Sequence, residues 1–193
     1  MNTGILDYGA GNLASVRNAL ERLGKEYFIA REAAMLGKAD RIIFPGVGHA
    51  AHAMRLLQQY QTGELLKTFQ GPVLGICLGM QLLGSESEEG GVDGLGVLEF
   101  KVKKFSPGLK VPHMGWNHVQ SDSNPLFKGI PQHSCFYFVH SYYAGISNET
   151  IARCHYGISF AAAVQRGNYF GVQFHPEKSA GAGMQLLENF FSI

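Results

Sequence analysis

Cysteine, histidine and glutamate can together form a nucleophile, its base and the group that orients the base. One stretch of this chain presents its cysteine in a way that suits that chemistry. Cys77 lies in Gly75-Ile76-Cys77-Leu78-Gly79-Met80-Gln81, directly after the apolar run Pro72-Val73-Leu74. A side chain carried on a sharp strand-to-helix turn needs neighbours without a Cβ, because the backbone folds back on itself there. An inert core cysteine needs no such collar. Far downstream, Phe174-His175-Pro176-Glu177 offers the other two parts. A helix beginning just after Cys77 favours a thiolate through its dipole and free N–H groups. His175 can exchange a proton with Cys77 and pass it to a leaving amine. Glu177 can hold the imidazole tautomer and offset its charge. Acyl transfer also needs donors for the developing oxyanion. Pro45-Gly46-Val47-Gly48, at the end of a strand-like run, and the N–H of Leu78 are placed to supply them.

Each residue also has a plainer reading. A lone buried cysteine usually packs as a small hydrophobe, and Pro45-Gly46 also reads as an ordinary turn. The other seven histidines, among them His49, His113 and His140, are expected to be ordinary, and none has the spacing of a zinc-binding helix. Gly9-Ala10-Gly11-Asn12 lacks the third glycine of a dinucleotide fingerprint, so no nucleotide cofactor is expected. No metal is expected either.

The elements that must position these groups alternate in the first half. Gly4-Ile5-Leu6 reads as a buried strand. Asn12 caps a helix whose Leu13, Val16, Ala19, Leu20 and Leu23 share a face, and Gly24 ends it. Strands follow at 27–29 and at 41–44, the latter cut by Pro45-Gly46, then a helix over 50–60 and a strand over 71–76 leading to Cys77. This alternation predicts a mostly parallel central sheet flanked by helices, with working groups at the C-terminal strand ends. The second half reads as strands at 97–105, 117–120, 135–143, 150–156, 160–165 and 169–174, an additional antiparallel layer. Phe170, Val172 and Phe174 alternate with Gln173 and His175, which face the other way. A final helix covers 182–191.

Length and composition fit one domain over 1–193: 193 residues, 46% hydrophobic and 16% charged. Sixteen Lys+Arg against fifteen Asp+Glu give a net charge of +1, which gives no electrostatic reason to expect nucleic acid or an anionic membrane as partner. Lys101-Val102-Lys103-Lys104 is expected to be a solvated strand edge. Three scattered cysteines, no CxxC pair, no leader-like N-terminus and no membrane-length apolar run predict a soluble protein in a reducing, cytoplasmic setting.

With these residues in view, the chain resembles the class I (triad) glutamine amidotransferases, a flavodoxin-like fold. It is most similar to the branch formed by the glutaminase subunits of imidazole glycerol phosphate synthase. Three signatures carry that narrower resemblance: Asp7-Tyr8-Gly9-Ala10-Gly11-Asn12-Leu13, Pro45-Gly46-Val47-Gly48, and Pro112-His113-Met114-Gly115-Trp116-Asn117. The resemblance implies hydrolysis of L-glutamine to glutamate and ammonia through a Cys77 thioester, with His175 as acid/base and Glu177 as its orienter. Gly48, Gln81, Glu89, Ser141 and Tyr142 match positions that hold glutamine, and Val47, Gly48 and Leu78 match the oxyanion hole. Asn12, Trp116, Tyr137 and Lys178 match positions that face a separate (β/α)₈-barrel cyclase subunit in a heterodimer. That subunit would receive the ammonia and make imidazole glycerol phosphate and an aminoimidazole carboxamide ribonucleotide in histidine biosynthesis. The branch is also coupled, its partner's ligand switching the glutaminase on, and the Val47 loop is the expected switch. An aromatic is expected after Gln81-Leu82-Leu83. Gly84-Ser85 stands there instead, which predicts looser packing, and Ser141 stands where threonine is also common.

Two other readings of the residues stay open at this stage: a free-standing glutamyl or cysteine hydrolase, and a glutamine-binding module with an idle triad. Turnover at full rate without a partner marks the first. A Cys77 inert to a glutamine-like label marks the second.

Overall fold

The computed structural model describes residues 2–9 and 12–193. Ala10 and Gly11 of the opening signature, and with them most of the Gly9-Ala10-Gly11 segment, lie outside the described residues. The first half runs β1 (Thr3–Leu6), α1 (Leu13–Arg22), β2 (Tyr27–Ala30), α2 (Ala33–Leu36), β3 (Arg41–Gly46), α3 (Ala50–Gln59), α4 (Thr62–Thr68), β4 (Val73–Cys77) and α5 (Leu78–Leu83). The second half runs β5 (Glu86–Ser87), β6 (Val92–Asp93), β7 (Lys101–Lys104), β8 (His113–Ser121), β9 (Cys135–His140) and β10 (Tyr142–Ala144). It continues with β11 (Thr150–Tyr156), β12 (Ile158–Arg166), β13 (Tyr169–Val172), a short turn of 3₁₀ helix at Pro176–Lys178, and α6 (Ala180–Phe191).

A nine-stranded sheet in the order β2-β1-β3-β4-β13-β12-β11-β8-β9 forms the centre. Pairing is parallel from β2 to β13 and antiparallel from β13 to β9. The strands β12, β11, β8 and β9 therefore extend the central sheet. The additional, mostly antiparallel layer is a separate four-stranded sheet, β10-β7-β5-β6. Strands β1, β3, β4 and β13 are buried throughout, as expected for parallel strands covered on both faces. Their alternating side chains feed two cores. Ile5, Ile43, Leu74 and Val172 pack with α1 and α6, while Leu6, Ile42, Phe44 and Val73 pack with α3 to α5 and the small sheet.

The first helix is bounded as its sequence predicts. Asn12 Oδ1 accepts from Ser15 N–H at 3.4 Å. At the other end Gly24 takes φ +63°. There the Gly24 and Lys25 N–H groups donate to the Glu21 and Leu20 carbonyls, the backbone pattern of a helix closed by a left-handed residue.

Several elements differ from expectation, each for a physical reason. β3 runs on through Pro45-Gly46, pairing them with Ile76 and Cys77. Beyond Ile43 the β1 pairing has ended, so the proline's missing N–H costs no ladder bond on that vacated side. Lys101–Lys104 is an interior strand of the small sheet rather than an edge. Lys101 and Lys103 form its solvated face, and Lys101 pairs with Glu86 at 2.7 Å. The expected strand at 135–143 breaks at Ser141: β9 pairs β8 in the central sheet and β10 pairs β7 in the small one. The chain thus changes sheets at Ser141-Tyr142. Finally, Gly84 is not loosely packed. A Cβ there would lie 2.6 Å from the Phe100 ring, and Phe100 supplies from a distant segment the aromatic bulk missing after Leu83.

Candidate active site

Register brings the working groups together. Gly46 pairs with Cys77 and Val172 with Ile76, so the C-terminal ends of β3, β4 and β13 meet at one point. The chain reverses sharply at Cys77, which has φ 54° and ψ −108°. For a residue with a Cβ, such a conformation costs roughly 1–3 kcal/mol and persists only where the surroundings impose it. Its glycine neighbours make the reversal feasible. A Cβ on Gly75 would sit 2.7 Å from the Met80 nitrogen, and one on Gly79 would fall on the Phe44 carbonyl oxygen. α5 therefore starts in contact with β3, with Cys77 7% exposed at its head.

Three residues past Val172, His175 arrives beside Cys77. Its Nδ1 is 2.8 Å from Glu177 Oε1, and both side chains are 2% exposed. The backbone holds the ring from behind: His175 N–H donates to the Tyr137 carbonyl, and the Ser179 hydroxyl donates to the His175 carbonyl at 2.6 Å. Burial by itself lowers the imidazole pKa, but the Cys77 and Glu177 side chains outweigh it and raise the pKa from 6.5 to about 10. Among the described residues His175 Nε2 is buried with no hydrogen-bond partner within range. The thiol instead donates to the Val139 carbonyl at 3.8 Å and accepts from Gln173 Nε2 at 3.7 Å. An imidazolium beside sulfur, with its orienting carboxylate out of water, stabilises Cys77 once it has lost its proton and can later protonate a leaving group.

In front of Cys77 opens a cavity of about 230 Å³ lined by Val47, Gly48, Cys77, Leu78, Gln81, Glu89, Val139, His140, Ser141 and Tyr142. Every residue that the sequence suggested for holding substrate or oxyanion lies on this wall. Sites for drug-sized ligands run to roughly 300–1,000 Å³, so this one is on the scale of a single small metabolite. Glu89 Oε2 accepts from Ala50 N–H at 2.8 Å, which ties the small sheet to the start of α3, just after the Val47-Gly48 loop. A larger groove of about 790 Å³ between α3, α4 and β6 contains none of the triad residues. Size alone does not mark the site; the reactive groups do. Among the described residues no group of three or more His, Cys, Asp or Glu could hold a metal.

The residues matched to a partner-facing surface lie on one side. Trp116 and Tyr137 are directly opposite in the β8–β9 ladder, with ring centroids 6.0 Å apart. Lys178 Nζ lies 6.0 Å from the Tyr137 ring centroid, and α1, capped by Asn12, packs on the Pro176–Lys178 turn. Trp116 is 54% exposed and Met114 62%, so the chain's single tryptophan is not core packing.

Sequence reasoning gave Gln173 no role, although its polarity inside an apolar run placed it on the face of His175. Gln173 is fully buried and accepts from Gln81 Nε2 at 2.8 Å. His113 and His140, expected to be ordinary, are buried and bonded to each other. Only the strand register brings them together.

Comparison with known proteins agrees with this geometry. The family model "Glutamine amidotransferase class-I" matches residues 4–193. The chain is 50% identical over 196 aligned positions to the imidazole glycerol phosphate synthase subunit HisH of Yersinia pseudotuberculosis, covering 100% of both chains. It is 51% identical to the subunit of the same name from Salmonella typhimurium, again covering 100% of both. The structure of PurLQS from Thermotoga maritima overlays with a TM-score of 0.76 at 19% identity, covering 99% of this chain and 97% of that one, which speaks to the fold. A cysteine elbow with this surrounding pocket, and full-length identity at this level, have one common source: the chain belongs to the class-I glutamine amidotransferase family, in the group formed by the HisH subunits of imidazole glycerol phosphate synthase.

Proposed function

We propose that this chain is the glutaminase of an imidazole glycerol phosphate synthase, acting in histidine biosynthesis. The observation that carries the reading is the single small cavity that joins Cys77, the Val47-Gly48 loop, the head of α5 and the Ser141-Tyr142 crossing, with a buried His175–Glu177 pair behind the nucleophile. L-glutamine lies with its amide at Cys77, held by Gly48, Gln81, Glu89, Ser141 and Tyr142. The Cys77 sulfur attacks the amide carbon, and the N–H groups of the Val47-Gly48 loop and Leu78 take the charge on oxygen. His175 gives its Nε2 proton to the departing nitrogen, releasing ammonia and leaving a glutamyl thioester. Water, deprotonated by His175, then cleaves the thioester to glutamate. Gln173 steadies the sulfur throughout.

The whole chain acts as one amidotransferase domain. It works with a partner subunit, read here as a separate (β/α)₈-barrel cyclase seated on Asn12, Trp116, Tyr137 and Lys178. That subunit receives the ammonia and forms imidazole glycerol phosphate and an aminoimidazole carboxamide ribonucleotide. Exposed Trp116 supports the docking face, since a large aromatic left at the surface is a common interface anchor. The chain's place of work is read as the cytoplasm; no described helix is long and apolar enough to cross a membrane.

The chemistry is tested by treating the assembled enzyme with a glutamine-shaped diazoketone and mapping the adduct. One adduct per chain on Cys77, prevented by excess glutamine, supports the reading. Cys135 is the exposed cysteine, so labelling there and not at Cys77 shows reactivity set by access alone and contradicts it.

A further inference from the structure

The antiparallel register of β8 and β9 sets His113 directly across from His140. Their facing nitrogens, His113 Nδ1 and His140 Nε2, are 2.9 Å apart. The ends of this pair are fixed independently. His140 Nδ1 lies 2.7 Å from the Tyr142 carbonyl oxygen, so it carries a proton. At the other end, Asn117 is oriented by two backbone bonds. Its Oδ1 accepts from His118 N–H at 2.8 Å and its Nδ2 donates to the His155 carbonyl at 3.0 Å. The atom that it presents to His113 Nε2, at 3.2 Å, is therefore the Nδ2 donor, and His113 Nε2 is an acceptor. Working inward from both ends gives the same answer. Each ring is neutral and protonated on Nδ1, and His113 donates to His140. A second proton on either ring would set donor against donor.

The chain of bonds continues past Tyr142. Its carbonyl also accepts from Gln81 Nε2 at 2.9 Å, and the same amide nitrogen donates to Gln173 Oε1 at 2.8 Å. Both Gln81 amide hydrogens are then engaged, which leaves Oε1 as the group it can turn to the cavity. Gln173 Nε2 reaches Cys77 Sγ at 3.7 Å. The two imidazoles are walled by aromatic rings. His113 is stacked between Phe138 and Tyr156, with centroids 4.9 and 4.1 Å away, and His140 lies 5.3 Å from Phe105 and 5.2 Å from Phe160.

We infer that His113 and His140 are positioning residues for the substrate pocket: a neutral pair of fixed tautomer that anchors the Tyr142 carbonyl, and through it Gln81 and Gln173, to Asn117 on strand β8. Burial supports neutrality, holding His113 near a pKa of about 4 and His140 near about 3. The pair touches neither sulfur nor His175 by a hydrogen bond. Its effect falls on the pocket wall, which meets the ground state and transition state alike, so its loss raises KM more than it lowers kcat.

Two measurements test this inference, which rests on the glutaminase reading of the pocket only for the second. Imidazole nitrogen NMR of the isotope-labelled chain reads the tautomers directly. Nδ1–H on both rings is expected, against the Nε2–H form that prevails in free histidine, and Nε2–H on either ring overturns the inference. Glutamate release by the assembled enzyme then reads the positioning. His140→Phe fills the ring's space without its nitrogens and is expected to raise KM for glutamine about tenfold, the worth of one buried hydrogen bond, with kcat changing less than about threefold. His140→Asn, whose amide nitrogen stands close to the place of Nδ1, is expected to recover most of the lost KM. An unchanged KM in His140→Phe, or no recovery in His140→Asn, overturns the inference. If wild-type enzyme releases no glutamate, the glutaminase reading falls and the tautomers alone decide the pair's arrangement.

Discussion

Replacing Glu177 with glutamine removes one charge and little else, because the amide keeps an acceptor for His175 Nδ1–H. At the observed separation of 2.8 Å, an ion pair at an effective dielectric of about 20 is worth ~6 kcal/mol. Desolvation of both groups offsets part of that, and breaking a buried pair leaves a net cost of roughly 3–5 kcal/mol. If that loss falls on the imidazolium during ammonia departure, kcat drops about 10²–10⁴-fold at 1.36 kcal/mol per decade. KM should move less than about threefold, because Glu177 is not on the cavity wall. The assay is glutamate release by the assembled enzyme at saturating glutamine. The pH behaviour carries a second signature. The His175 pKa is raised in the folded chain from 6.5 to about 10, burial being outweighed by Cys77 and Glu177. Stability from that interaction is fully present below pH 6.5 and is lost as pH rises through about 10. In Glu177→Gln the loss begins at lower pH, visible in urea melts across that range. A variant with kcat within threefold of wild type and an unchanged melt profile would refute the role given to Glu177.

Four further outcomes follow from the geometry. Gly79→Ala places a methyl on the Phe44 carbonyl; overpacking of this kind costs about 1–3 kcal/mol, and both melting temperature and Cys77 labelling should fall, whereas an unperturbed elbow leaves both intact. Gly48 has φ +106° and open space around it, so Gly48→Pro, which demands φ near about −65°, should abolish activation by the partner's ligand; normal stimulated turnover rules out the Val47-Gly48 loop as a switch. Burial lowers the His113 and His140 pKa values from 6.5 to about 4 and about 3, so stability present above pH 6.5 should decline as pH falls toward those values, and the urea midpoint of His113→Phe should decline less steeply. Among the described residues the Tyr8 hydroxyl is buried with no hydrogen-bond partner, and an unsatisfied polar group costs roughly 1–3 kcal/mol, so Tyr8→Phe should be neutral or stabilising in a thermal melt; a clear loss of stability reveals a partner for that hydroxyl.

What could be read from sequence was whatever is local in the chain. The glycine collar of Cys77, the Asn12 cap and the Gly24 stop each act within a few residues, and the structure shows each with the predicted cause. The parallel strands were legible because burial on both faces makes them continuous apolar runs. The members of the pocket came through the family resemblance, and their meeting in one cavity follows from the β3–β4 register together with the β5–β6 turn and the β9–β10 crossing, which are not local in sequence. Elements too short to show a period were missed. α2 has four residues and no side-chain cap, α4 is preceded by Gln61 in a left-handed conformation, and β5 and β6 have two residues each. Of the small sheet, β7 lies within the strand read at 97–105, but its separation from the central sheet had no signal, because β10 follows β9 in one continuous strand-like run. The His113–His140 pair was invisible for a different reason: its partners are 27 positions apart, and only cross-strand register shows that they touch.

The most direct test of the whole account is glutamate release from glutamine by this chain alone, with a cyclase subunit, and with the cyclase and its ribonucleotide ligand. The account predicts near-silence alone and strong activation only in the full mixture, lost in Cys77→Ala. Equal turnover in all three would contradict it and describe an independent hydrolase.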